Sequence, residues 1–295
     1  MKEFFRNTKP FGQLVTLLVA IVILFVIASG ILTLAMKCGA NVLEPHFLLL
    51  FQGLIQLLTF LLPALLFAWL FSDDTARFLC LDFSGRKWTL ALMGILILAC
   101  LLPLSDWLAQ INDSWHLPEN MRTLEEKLRL QSEKSETLIE QFLSLRGVGN
   151  LFLNLIVIAL IPAISEEFLF RGVLQQWFER WTKNHHLAIL ITAAIFSLTH
   201  GEIFAFLPRF MLGIMLGYLF HYSKSMLVNV SVHFINNAAI VAINYLYKGG
   251  IIENNIADEI NAPFYVILIG VLIASVIFYR VFLKNNLEQT KQSVR

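Results

Sequence analysis

The chain has 295 residues, 57% of them hydrophobic and 15% charged, whereas soluble domains carry about 45–50% apolar and about 25% charged residues. Lys plus Arg number 22 and Asp plus Glu 21, a net charge of +1, which leaves no basic surplus for nucleic acid and no acidic tail. An ordinary soluble enzyme is excluded, and Cys38, Cys80 and Cys100 lack the spacing of a zinc ribbon or a disulfide framework.

In chain order, the uncharged stretch 11–36 follows the basic start Lys2, Arg6 and Lys9. It is longer than the apolar core of a signal peptide and predicts a retained membrane helix. Uncharged stretches at 47–71, 88–105, 147–165, 225–247 and 262–279 predict five more. The apolar segments 187–200 and 203–222, the latter interrupted by Arg209, bring the expectation to eight helices. The fold expected is an all-α polytopic membrane protein, a single membrane domain over 1–295.

Connection 106–146 is the one sizeable polar region. Within it Leu124 and Leu128, then Leu138, Phe142 and Leu145, recur at spacings of three and four, which predicts amphipathic helices lying on the outer membrane surface or covering the bundle, with a substrate-selecting lid as the minority reading. Basic residues such as Lys2, Arg6, Lys9, Arg86, Arg171, Lys183, Lys291 and Arg295 gather on one side, while the short loops of the other side hold only Lys37 and Lys248. Both termini are therefore expected in the cytoplasm.

A charge at membrane depth costs about 2.5–3.5 kcal/mol on insertion scales, so such residues are candidates for function. Glu166 and Glu167 end the apolar run begun at Val148. Glu167 has Arg171 four residues on as an ion-pair partner. Glu166 points about 100° away around the helix and needs a cation, a donor, a metal or a proton of its own. His200 closes Phe196–His200 after an apolar run, and His233 and Asn237 share one helix face inside 225–247. Taken singly, His200 is more often a packing residue, and His233 with Asn237 interhelical glue. Depth arithmetic favours their convergence. Glu166 and His200 are equally far in sequence from Lys183, so a hairpin turning there sets them level. His233 and Asn237 fall about 14 and 20 Å beyond Lys224 at about 1.5 Å per residue.

Two chemistries stay open for such a cluster. Glu166 can act as general base on a water oriented by His200, with His233 and Asn237 donating to an oxyanion. Alternatively Glu166, His200 and His233 hold zinc or another divalent metal with water in the open position, as in other His2Glu sites.

In order along the chain, Glu166-Glu167 to Arg171, Phe196 to His200 and His233 to Asn237 resemble the EExxxR, FxxxH and HxxxN motifs of the CAAX protease and bacteriocin-processing family, also called ABI, of intramembrane metalloproteases. The resemblance covers 148–247, the expected catalytic core. It implies an eight-helix endopeptidase of a multi-pass, bacterial plasma membrane. In it Glu166 and His200 activate water, His233 and Asn237 support the oxyanion or a metal, and Glu167 and Arg171 give structural support. The partners implied are the lipid bilayer and a peptide or protein substrate, lipidated or membrane-bound. A nonproteolytic bacteriocin-immunity or scaffold protein is the alternative. A transporter is disfavoured, since no matching pair of interrupted helices is present.

Overall fold

Backbone amides in hydrocarbon must find partners within their own segment, so long apolar runs become helices. The computed structural model describes residues 8–82, 85–145, 147–252 and 262–284. Its principal helices are α1 (Pro10–Lys37), α2 (Pro45–Phe71), α3 (Gly85–Asp113), α4 (Arg122–Ser144), α5 (Val148–Thr182), α6 (His185–Leu198), α7 (Phe206–Ser223), α8 (Met226–Lys248) and α9 (Phe264–Leu283). Among the described residues seven helices are long and apolar enough to cross a membrane, and α6 is a shorter apolar one. This is an all-α polytopic membrane protein.

Local chemistry sets the helix ends. Pro10 and Pro45 begin α1 and α2, where a missing N–H costs nothing, and the Glu44 carboxylate accepts the Phe47 N–H. Asn184 caps α6 by accepting from the N–H groups of His186 and Leu187. Lys183 and Lys224, both left-handed, end α5 and α7. On α1 most large side chains are exposed, as lipid-facing positions are: Val22 and Val26, for example, are 60% and 62% accessible.

Two apolar clusters flank the centre of the bundle. Leu17, Phe67, Leu79, Phe170, Trp177 and Phe196 join α1, α2, α5 and α6. Ile97, Leu216, Leu219, Val232, Ala274 and Phe282 join α3, α7, α8 and α9.

Three expectations change. First, the third span continues to Asp113, where Gln110 donates to Asp106 one turn back. Second, the expected helices of 106–146 are therefore one helix, α4, led by a 3₁₀ turn at Glu119–Met121. Phe142 of α4 is buried, while Leu124 is exposed. Third, α2 and α5 are not straight: π-helical turns occupy Leu57–Leu61, Leu155–Leu160 and Phe168–Gln175. The extra residue in a π turn rotates everything beyond it, and such turns occur often at functional sites. Of the basic residues used for orientation, Lys2, Arg6, Lys291 and Arg295 lie outside the described residues, as does the Arg86 side chain. Arg171 is buried within α5 rather than at a membrane surface.

Candidate active site

α5 delivers two adjacent carboxylates to the middle of the bundle, and their surroundings differ. Glu167 is fully buried and carries three hydrogen bonds. Its Oε1 accepts from Arg171 Nη1 at 2.9 Å and from His233 Nδ1 at 2.9 Å, and its Oε2 accepts from Asn229 Nδ2 at 3.0 Å. A buried charge without such partners is prohibitively costly.

The guanidinium is itself anchored. Arg171 Nη2 donates to the Gly213 carbonyl at 3.2 Å, and one turn on, Gln175 Nε2 donates to the Gly217 carbonyl at 2.9 Å. Both bonds join α5 to α7 across the same interval of 42 residues, so the two helices run parallel in register. Close packing of α7 on α6 goes with this arrangement. A Cβ on Gly213 would meet Ala193 Cβ at 2.9 Å, and one on Gly217 would meet Ile189 Cγ2 at 2.7 Å. Small residues at such a seam let helices approach within a membrane.

Glu166 is the carboxylate that Arg171 does not bond. Its Oε1 accepts from Gln56 Nε2 of α2 at 2.7 Å, and its Oε2 lies 3.7 Å from His233 Nε2. It is buried, 8% accessible. Gln56, absent from the sequence-based candidates, stands just before the π turn of α2. A glutamine in an otherwise uncharged span was the one signal that pointed to it.

Phe196 ties the second motif to the other two. Its ring lies 5.1 Å from that of His200 and 5.9 Å from that of His233, and the Arg171 guanidinium sits 4.7 Å from its centre. His200 follows the end of α6 and is exposed, the point where the cluster reaches the surface. Its Nδ1 lies 2.8 Å from the Phe196 carbonyl. The structure thus brings Glu166, Glu167, Arg171, His200 and His233 together. Asn237 lies one turn beyond His233, partly buried, with its Oδ1 accepting from Asn236 Nδ2 at 3.2 Å rather than from any of the others.

Hydrogen-bond logic assigns the imidazole tautomers. A carbonyl oxygen accepts only, so His200 donates from Nδ1 and leaves Nε2 as an acceptor. Glu167, ion-paired to Arg171, likewise accepts from His233 Nδ1. In the neutral ring Nε2 of His233 is then an acceptor too, while the Asn237 amide keeps a donor in either case. Two Nε2 atoms and Glu166 are also the donor types of a His2Glu metal site. Among the described residues, however, no group of three or more His, Cys, Asp or Glu side chains is arranged to hold a metal ion.

The fold and this cluster define an integral membrane protein with a polar, largely buried carboxylate–imidazole centre. Residues 148–239 match the family described as type II CAAX prenyl endopeptidase Rce1-like, a match consistent with the family that the three motifs resemble. That is a protease family, and the match supports a membrane peptidase. Comparison with the curated proteins and with the solved structures returns no match.

Proposed function

We propose that this chain is an intramembrane endopeptidase in which Glu166 activates water for attack on a peptide carbonyl. The observation that carries the reading is the separation of roles between neighbouring carboxylates. Glu167 is committed to Arg171, Asn229 and His233, whereas Glu166 has one oxygen on Gln56 and the other beside the His233 imidazole.

A water in this cluster has two protons and meets acceptors. One proton points to Glu166, the other to a histidine Nε2, and an oxygen lone pair is left to face the scissile carbon. Glu166 takes the proton as the carbon–oxygen bond forms, and returns it to the departing amine as the carbon–nitrogen bond breaks. The Asn237 amide is the neutral donor for the tetrahedral oxyanion. The carboxylate performs the activation, and no step passes through a metal.

The matched family's name points to a peptide with a prenylated cysteine near its C-terminus. A lipid anchor would hold such a segment at the bilayer, where this cluster lies. Both termini are assigned to the cytoplasm on the distribution of basic residues.

Purified chain in lipid vesicles is to be assayed with a farnesylated fluorogenic peptide. Glu166→Gln should reduce cleavage by about 10²–10⁴-fold, the usual worth of a general base, while the fold is retained and wild-type cleavage persists in excess chelator. Undiminished cleavage by the variant would sink the mechanism. A phenotype that the variant still confers would favour the immunity or scaffold role.

A further inference from the structure

Arg209 is an intramembrane cation that the mechanism above does not use. The interval of 42 residues linking Arg171 to Gly213 and Gln175 to Gly217, carried one turn toward the helix start, sets Arg209 level with Glu167. The start of α7 is firmly held there. Ser197 Oγ of α6 donates to the Phe206 carbonyl at 2.8 Å. Fully buried Asn112 donates to the Ile203 carbonyl at 3.0 Å and accepts from the Leu207 N–H at 2.6 Å. Arg209 is thus held in the first turns of α7, two residues beyond Leu207.

Its guanidinium is only partly occupied. Nη2 bonds Glu202, which stands on the connection between α6 and α7 two residues after His200, and Nη1 is buried with no hydrogen-bond partner among the described residues. A guanidinium presents a planar fork that matches a carboxylate through two parallel bonds. Here one tine is engaged and the other idle. The carboxyl of Glu136 on α4 is pushed up by burial and then by the Glu202 charge. Next to Glu202, Gly201 is exposed, so the connection that carries this carboxylate reaches the surface.

We propose that Arg209 binds a carboxylate of the peptide substrate and that Glu202 is the resident carboxylate it displaces. This rests on the peptidase reading. The carboxylate is either the substrate's C-terminus or an acidic side chain, and both present the same pair of oxygens to the fork. Arg209 is on this view a specificity residue, which fixes how far beyond the scissile bond the peptide extends.

The test uses full-length chain carrying Glu166→Gln in nanodiscs, and binding of three dansylated farnesyl peptides: one with a free C-terminal carboxylate, its C-terminal amide, and that amide with glutamate as the last residue. The first or third should bind about tenfold or more tightly than the plain amide, as expected for a charge-assisted bond, and which of them does so names the source. Adding Arg209→Gln should abolish the difference. Adding Glu202→Gln should enlarge it by about tenfold, since the competing carboxylate is gone, and this arm stands even where the Arg209 variant fails to fold. Equal binding of the three peptides, or a preference that survives Arg209→Gln, overturns this inference and leaves the peptidase reading intact. Failure of every peptide to bind, with no cleavage by the wild type, overturns both.

Discussion

Glu167 holds His233 by its Nδ1 at 2.9 Å, and the opposite ring nitrogen is thereby turned toward Glu166, 3.7 Å away. The two neighbouring glutamates should therefore fail in different ways when neutralised. Glu167→Gln strands the Arg171 guanidinium in the bundle, and breaking a buried pair costs about 3–5 kcal/mol. Glu166→Gln keeps an acceptor for Gln56 and breaks no ion pair with Arg171. Thermal unfolding should show a large drop for the Glu167 variant and almost none for the Glu166 variant, with cleavage lost in both. The reverse order of stabilities would mean that the roles are exchanged.

Much of this was readable from residue types and spacing. The spans follow from uncharged runs, and the Glu167–Arg171 pair follows from helical periodicity. The resemblance carried by Glu166, His200 and His233 picked out groups that the fold does gather. What escaped the sequence depends on contacts between distant segments. Gln56 meets Glu166 across 110 positions, and a glutamine in an apolar span does not by itself name its partner. Asn112, at the end of α3, pins the start of α7 in the same way. The orientation of the His233 ring is set in the same way by Glu167, a partner on another helix.

The α6–α7 seam predicts damage from added methyl groups. At Gly213 a Cβ meets the Ala193 backbone at 3.1 Å, which cannot yield without moving a helix. At Gly217 it meets Ile189 Cγ2 at 2.7 Å, and a β-branched side chain in a helix cannot turn that atom away cheaply. Overpacking costs about 1–3 kcal/mol, so both Gly213→Ala and Gly217→Ala should be destabilised within that range. Because Arg171 bonds the Gly213 carbonyl, the Gly213 variant should also lose activity. Equal unfolding temperatures for both variants and wild type would show that the seam is looser than described.

Outside the membrane, the junction before α4 should respond to acid. The Leu117 N–H, then His116 and Arg129, hold the Glu125 carboxyl down at about 2, from an ordinary 4.5. A carboxyl lowered on folding stabilises the fold above its unfolded value, and that contribution is lost as pH falls toward the folded value. The junction should therefore loosen between pH 4.5 and about 2. Arg129 also donates to the Trp115 carbonyl at 2.9 Å, so tryptophan emission reports the change. Glu125→Gln should remove the transition in that window. A transition of unchanged size in the variant would assign it to another group.

Gln56 lies outside the matched domain, yet it grips the oxygen of Glu166 that does not face His233. Its hydrogen bond directs the carboxylate and supplies the one donor found for Oε1 among the described residues. Gln56→Leu removes the donor while keeping a side chain of similar bulk. Hydrogen bonds to charged groups are worth about 1.5–3 kcal/mol, so kcat should fall by about tenfold or more, with KM little changed because Gln56 orients the base and does not touch the substrate. A donor placed one carbon shorter, in Gln56→Asn, should restore part of the loss. A rise in KM at constant kcat would place Gln56 in substrate binding instead. Unaltered kinetics in a folded Gln56→Leu protein would show that Glu166 is oriented by its own helix and by His233 alone.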